Sequence, residues 1–279
     1  MRVSINHLKE MKKKGQKIAV LTAYDYHTAQ IVERAGVPVI LIGDSLGNVI
    51  HGFETTIPVT MEMMLMHSKA VAKGTTESLL IADMPFMSYQ ISAEEALRNA
   101  ARLMQEGHVQ AVKLEGGVTI ASTVSRLVES GIPVMGHIGL TPQSIYQLGG
   151  FKAQGKTFDA AKKVIRDAKA LENAGAFALV LETIPSELST YITKQLAIPT
   201  IGIGAGSGCD GQVQVITDIL GIFSDFVPKH ARQYTHLASL MQQAIASYYE
   251  DVKAGNFPDV NESISMEPAI MAQIEAATL

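Results

Sequence analysis

Short runs of consecutive apolar residues alternate along the chain with longer stretches whose apolar positions recur every three or four residues. The first pattern predicts strands covered on both faces, the second amphipathic helices. A local motif repeats at the joins: an amphipathic stretch stops at a small residue plus glycine, and a β-branched run follows. Ala35-Gly36-Val37-Pro38-Val39 and Ser130-Gly131-Ile132-Pro133-Val134 are near copies of it. Leu196-Ala197-Ile198-Pro199-Thr200 lacks the glycine, and Ala174-Gly175-Ala176-Phe177-Ala178 lacks the proline. Glycine suits the left-handed residue that ends a helix, and proline is tolerated at the first residue of a strand.

The pattern predicts strands at Ile18–Tyr24, Val37–Gly43, Ser78–Ala82, Ala111–Leu114, Pro133–Gly136, Ala178–Leu181, Pro199–Ile203 and Gln212–Thr217. The eighth is the weakest, because Gln212, Gln214 and Thr217 interrupt it. Ala93–Gln105 and Ala160–Asn173 read as helices between strands, with Ser92 and Glu95 at capping-box spacing. Leu237–Lys253 is expected as the eighth barrel helix, residues 4–14 as an extra helix plugging the barrel floor, and the chain from about Phe257 to residue 279 as a polar tail. Eight βα units predict one closed (β/α)8 TIM barrel over residues 1–279, with an open doubly wound sheet as the competing architecture.

Composition narrows the function. The 279 residues carry a formal charge of −4, with no electrostatic footprint for nucleic acid or an anionic membrane. No run approaches the ~18 apolar residues of a membrane span. Cys209 is the single cysteine, so no intramolecular disulfide can form, which fits a reducing cytoplasm.

Barrel active sites are built at the C-terminal ends of the strands. The residues expected there are Asp25, Asp44, Asp83, Glu115, His137, Glu182, Gly204 and Asp218. So many carboxylates on one rim are costly unless cations offset them. Asp25 and Asp218 are as well explained as helix N-caps. Lys113 and Glu115 share a strand face, which must be the barrel interior, either as an internal ion pair or as site residues. Oxygen ligands favour a hard cation, Mg²⁺ before Zn²⁺, with Asp44 and Asp83 on adjacent strands and Glu115 bound directly or through water. The loop Gly202-Ile203-Gly204-Ala205-Gly206-Ser207-Gly208 either holds a phosphate or clears room for a bulky group. Met61, Met63, Met64 and Met66 read as packing residues. The chain has no HExxH motif.

Several strand-end segments together resemble one family. They are Leu21-Thr22-Ala23-Tyr24-Asp25, Gly43-Asp44-Ser45-Leu46-Gly47, Ala82-Asp83-Met84-Pro85-Phe86-Met87 and Val112-Lys113-Leu114-Glu115-Gly116-Gly117. Gly136-His137-Ile138-Gly139-Leu140-Thr141-Pro142-Gln143, Gly149-Gly150-Phe151-Lys152-Ala153-Gln154-Gly155-Lys156, Leu179-Val180-Leu181-Glu182 and Ile201-Gly202-Ile203-Gly204-Ala205-Gly206 with Asp210-Gly211-Gln212 continue it. In that order they resemble the ketopantoate hydroxymethyltransferase family. Phe226-Val227-Pro228-Lys229-His230 departs from the family's usual run.

The resemblance implies a homodecameric, Mg²⁺-dependent barrel. It would move a hydroxymethyl group from 5,10-methylenetetrahydrofolate to 3-methyl-2-oxobutanoate in pantothenate synthesis. It implies a magnesium site at Asp44, Asp83 and Glu115, contacts to the α-keto acid from Asp44, Ser45, Asp83 and Lys113, and Glu182 as the general base. His137 joins Lys113 as a candidate for holding charge near the keto acid. Two alternatives stand beside this: a related magnesium-dependent lyase or mutase barrel acting on keto acids, separated by folate dependence, and a non-catalytic, oligomeric metabolite-binding barrel.

Overall fold

The computed structural model describes residues 2–222 and 227–277. Eight parallel strands close on themselves in chain order. They are β1 (Ile18–Thr22), β2 (Val39–Ile42), β3 (Leu79–Asp83), β4 (Ala111–Glu115), β5 (Val134–Gly139), β6 (Ala178–Glu182), β7 (Thr200–Ile203) and β8 (Gly211–Gln214). The helices are α1 (Ile5–Lys13), α2 (Tyr26–Arg34), α3 (Leu46–Val49), α4 (Met61–Lys73), α5 (Ala93–Gln105), α6 (Ala121–Glu129), α7 (Ile145–Leu148), α8 (Phe158–Asn173), α9 (Ser186–Gln195), α10 (Ile216–Leu220), α11 (Leu237–Ala254) and α12 (Pro268–Ala276). The closed (β/α)8 barrel is the expected architecture, and the open sheet is excluded.

Two apolar layers follow from strand alternation. Inward positions such as Val20, Val39, Leu41, Ile81, Met135, Val180 and Ile201 fill the barrel, while Ile40, Ile42, Leu80, Val112 and Leu179 pack outward under the helices. Leu8 of α1 is fully buried among the barrel-interior residues, so the N-terminal helix does plug the floor. Lys12 anchors it, reaching Asp210 at 2.8 Å and the Thr193 carbonyl at 3.1 Å.

The repeated helix stops work as the sequence implies: Gly36, Gly131 and Gly175 all adopt left-handed φ values. The prolines sit one residue outside the strands. Pro38, Pro133 and Pro199 lack an N–H, yet their carbonyls accept from Leu79, Val112 and Leu179 at 2.9, 3.1 and 2.9 Å, so each opens a ladder. At α5 the Ser92 side chain caps the Glu95 N–H at 3.1 Å, but the reciprocal half of the box is missing. The Glu95 carboxylate turns instead to Arg98 at 2.9 Å and Asn99 at 3.2 Å. Of the crowded methionines, Met61 and Met64 are buried in the layer between barrel and helices, Met63 packs against it, and Met66 is exposed.

The last βα unit departs from expectation. β8 starts one residue earlier and stops at Gln214, and the helix that follows it is the short α10, ended by left-handed Gly221. The stretch expected as the eighth barrel helix forms α11, but it buries none of its residues. The outer face of β1 and β8 is correspondingly open, with Ala19 and Gln212 exposed. The stretch read as a polar tail contains α12, whose sequence Pro-Ala-Ile-Met-Ala-Gln-Ile-Glu-Ala is mostly apolar. No helix among the described residues is long and apolar enough to cross a membrane.

Candidate active site

Period-two alternation that buries valine and isoleucine low in the barrel brings polar residues to the same face at the top. Asp83 closes β3, Lys113 and Glu115 lie on β4, His137 on β5, and Glu182 closes β6. Strand register pairs Asp83 with Lys113 and Glu115 with His137. Asp44 and Ser45 enter from the turn between β2 and α3. All of these residues line one cavity of about 580 Å³, a size suited to a small-molecule site. Lys113 and Glu115 therefore do share the interior face. Asp44, Asp83, Lys113, Glu115 and His137 are all buried.

Asp25 lies outside the cluster. It is exposed and caps α2, accepting from the Thr28 N–H at 2.9 Å. Asp218 lies within α10 rather than at a strand end, but it borders the cavity. The glycine-rich loop serves close packing. A Cβ at Gly206 would stand 2.5 Å from Ser186 Cβ, and one at Gly208 would collide with Thr190, so glycine lets the loop lie against α9. Lys229 and His230 border the cavity mouth, whereas Phe226 lies outside the described residues. Cys209 is buried, and burial is the main cause raising its thiol pKa, which leaves it a poor nucleophile.

The charged groups form a continuous array. Lys113 Nζ lies 3.1 Å from Asp83 Oδ1, 3.9 Å from Glu115 Oε1 and 3.2 Å from His137 Nδ1. His137 Nδ1 is 3.2 Å from Glu115 Oε1, and its Nε2 is 3.0 Å from Glu182 Oε2. The Asp44 backbone N–H donates to Asp83 Oδ2 at 3.0 Å. Tyr24, buried behind the rim, shares a 2.8 Å hydrogen bond with Ser45 Oγ.

Burial sets the electrostatics, and the neighbours decide its sign. Burial pushes Asp44 well above the ordinary carboxylate range, with Asp83 and Glu115 adding to the shift and Lys113 and Gln143 offsetting part of it. Burial also raises Asp83, which Lys113 and the Asp44 N–H only partly counter. At Glu115 the balance reverses: burial is outweighed by His137, Lys113 and the Gln143 N–H, and its pKa falls. Burial disfavours the Lys113 ammonium, but Asp83, Glu115 and Asp44 hold it above the usual lysine value. Burial and Lys113 oppose charge on His137, yet Glu115 and Glu182 raise it to about 9.

These residues fit a divalent cation on two grounds. Asp44, Asp83 and Glu115 crowd one buried space with Lys113, and the upward shifts of Asp44 and Asp83 show that the cationic groups present do not offset their charge. The second ground is Asp83 Oδ1, which is buried and, despite its closeness to Lys113, lacks hydrogen-bond geometry to any group. Among the described residues no three His, Cys, Asp or Glu side chains close on one point as a complete metal cage. A magnesium ion needs only one or two protein carboxylates and takes water and substrate oxygens for the rest. Asp44 and Asp83 could supply those two. One oxygen of Glu115 lies beside His137, and the other accepts the Gln143 N–H at 3.0 Å.

Sequence reasoning missed the support behind the rim. Gln143, Tyr89 and Tyr24 are buried and hydrogen-bonded to rim residues; Gln143 and Tyr89 lie in turns where periodicity carries no signal, and Tyr24, expected at the end of the first strand, lies just past β1. Thr183, directly after Glu182, adopts a left-handed φ of 48°, a strained conformation for a β-branched residue and one the sequence does not announce.

A family model described as ketopantoate hydroxymethyltransferase matches residues 2–260. A protein of Dehalococcoides mccartyi named 3-methyl-2-oxobutanoate hydroxymethyltransferase is 58% identical over 275 residues, covering 99% of this chain and 98% of that one. A protein of the same name from Carboxydothermus hydrogenoformans is 55% identical, covering 98% and 99%. Among solved structures, phosphonopyruvate hydrolase in complex with oxalate and Mg²⁺ superposes with a TM-score of 0.60 at 13% identity, covering 99% and 96% of the two chains. A 2,3-dimethylmalate lyase of the PEP mutase/isocitrate lyase superfamily gives 0.55 at 14% identity, with coverage of 99% and 96%. The structural likenesses show a common fold.

Proposed function

The chain belongs to the ketopantoate hydroxymethyltransferase family, and from that premise we propose how its acidic rim works as a transferase. The reaction is transfer of a hydroxymethyl group from 5,10-methylenetetrahydrofolate to 3-methyl-2-oxobutanoate, giving 2-dehydropantoate. The observation that carries this reading is one cavity holding two adjacent carboxylates with uncommitted oxygens, a buried lysine beside them and a glutamate across the rim.

Asp44 and Asp83 would hold Mg²⁺, with Glu115 acting through water. When bound, the cation supplies Lewis acidity to the ketone and carboxylate oxygens of a 2-keto acid. Ser45, Lys113 and His137 bind and orient that substrate. Tyr24 fixes the Ser45 hydroxyl through their 2.8 Å hydrogen bond. Glu182 accepts the C3 proton, and the C–H electron pair passes toward the keto oxygen, where Lys113 and His137 help offset the charge. C3 then bonds to the methylene carbon of the folate as one of its two C–N bonds breaks, and water replaces the second folate nitrogen on that carbon, which leaves the hydroxymethyl group and releases tetrahydrofolate. Leu140 and Pro142 form part of the cavity's apolar wall.

The protein is further proposed to act in the cytoplasm as a homo-oligomer, a decamer by family resemblance. An α11 that buries none of its residues supports the assembly. The direct test is ketopantoate formation from the two substrates, with Mg²⁺ and with EDTA. Magnesium-dependent product is the expected result. No product from folded protein with Mg²⁺ present would overturn the reading and turn attention to keto-acid lyase assays.

A further inference from the structure

Behind the carboxylates lies a neutral side chain that neither proton transfer nor substrate contact uses. Gln143 is 3% exposed and sits in the tight turn Pro142–Ser144 after β5. Its amide nitrogen donates to Asp44 Oδ2 at 2.8 Å and to the Met84 carbonyl at 2.9 Å. Its amide oxygen accepts from the Tyr89 hydroxyl at 2.8 Å and the Gln90 amide at 3.2 Å. Its backbone N–H donates to Glu115 Oε2 at 3.0 Å. Both amide hydrogens and both acceptor positions are used, so the group cannot flip without setting its oxygen against a carboxylate. Tyr89 also accepts the Glu115 N–H at 3.1 Å, tying the amide to β4.

We propose that Gln143 is a positioning residue that sets the cation preference of the rim by withholding carboxylate oxygens from the metal. The proposal rests on the reading of Asp44 and Asp83 as magnesium ligands. Gln143 engages one oxygen of Asp44, and the Asp44 N–H engages one oxygen of Asp83. Both oxygens of Glu115 are taken, by the Gln143 N–H and beside His137. Asp44 keeps one oxygen, and Asp83 Oδ1, 3.1 Å from the Lys113 ammonium, is buried without a hydrogen bond. Two such oxygens, with water and substrate completing an octahedron, suit Mg²⁺. Ca²⁺ takes about six to eight oxygens and favours bidentate carboxylates, so it gains most from the oxygens that Gln143 holds back. A neutral amide can engage Asp44 without adding another charge to the cluster.

The test is calorimetric titration of the full chain with Mg²⁺ and Ca²⁺ separately, without substrate, for wild type, Gln143→Ala, Gln143→Glu and Tyr89→Phe. Proton relaxation of bound Mn²⁺ counts the coordinated waters, and thermal unfolding checks the fold. In Gln143→Ala, Asp44 is free to bind through both oxygens, and Gln143→Glu adds a carboxylate. Both are expected to shift preference from Mg²⁺ toward Ca²⁺ by tenfold or more and to lower the water count on Mn²⁺. Tyr89→Phe removes one partner of the amide oxygen and leaves both donors, so it is expected to shift preference the same way by a smaller factor. An unchanged preference in a folded Gln143 variant overturns the proposal, as does an equal loss of affinity for both ions. If both Gln143 variants fail to fold, Tyr89→Phe decides: an unchanged preference overturns the proposal. If wild type binds neither ion, the magnesium reading itself fails and the proposal falls with it. Magnesium binding in wild type with no change in the variants sinks this proposal alone.

Discussion

Glu182 reaches the cavity from the last position of β6 and lies 3.0 Å from His137, so replacing its carboxylate by an amide leaves the neighbouring ring in place. Glu182→Gln is therefore expected to slow exchange of the C3 proton of 3-methyl-2-oxobutanoate by about 10²–10⁴-fold, while Mg²⁺ affinity stays within a few-fold of wild type. Retained exchange, followed by NMR in D₂O, would remove Glu182 from the role of base. His137 gives a pH test. Its folded pKa is raised to about 9 from an ordinary 6.5, so the native state binds its proton more tightly than the unfolded chain. The stability this contributes is fully present below about pH 6.5 and is lost as pH rises through about 9. Unfolding of wild type and His137→Gln in EDTA should show a gap that narrows across that window. A gap that widens instead would contradict the charge balance between Glu115, Glu182 and Lys113. At this scale the acidic rim was legible because its members follow apolar strand runs. Gln143 and Tyr89 were not, because their importance lies in bonds to residues 54 and 26 positions away that no local pattern encodes.

Elements set the positions of these residues by close backbone approach, and β5 against β6 is a tight case beside Glu182. Gly139 ends β5 at φ +96°, and a Cβ there would run into the Glu182 carbonyl and lie 2.9 Å from Ile184 Cγ2. The next residue, Leu140, donates its N–H to that same carbonyl at 2.9 Å. Gly139→Ala faces both an unsuitable φ and an occupied space, so it should destabilise the fold by more than about 1 kcal/mol. Because Asp44 and Asp83 come from β2 and β3, the surviving folded fraction should keep its Mg²⁺ affinity and lose turnover. Denaturant unfolding, metal titration and kcat together check this, and equal losses of metal binding and turnover would deny that the defect is local to β6. All eight strand starts were legible to within two residues, since helix-ending glycines and prolines mark many of them. The end of the eighth, expected at Thr217 and found at Gln214, was not, because the outer face of that strand is open, and an uncovered face imposes no apolar run.

The open face of β1 and β8 and the uncovered α11 pose one problem for the whole molecule. Met241, Ile245, Tyr248 and Val252 recur along α11 at spacings of three and four and are 48%, 64%, 58% and 46% exposed, so they form an apolar stripe with nothing against it. Periodicity identified this helix correctly but could not say which surface its stripe meets, and the barrel of the same chain is not that surface. An 18-residue helix depends for most of its stability on the packing of such a stripe. Further copies of this chain are the proposed cover, which makes the stability of α11 depend on protein concentration. Light scattering should accordingly give a mass that is a multiple of the 30.0 kDa chain. Ile245→Asp, which puts a charge at the centre of the stripe, should lower that mass and the helical signal together, while leaving Asp44 and Asp83, which lie on other elements, unaltered. Dilution of wild type should move it in the same direction. A 30.0 kDa species that keeps its full helical signal on dilution would show that α11 stands unaided, and the oligomer would lose its physical support.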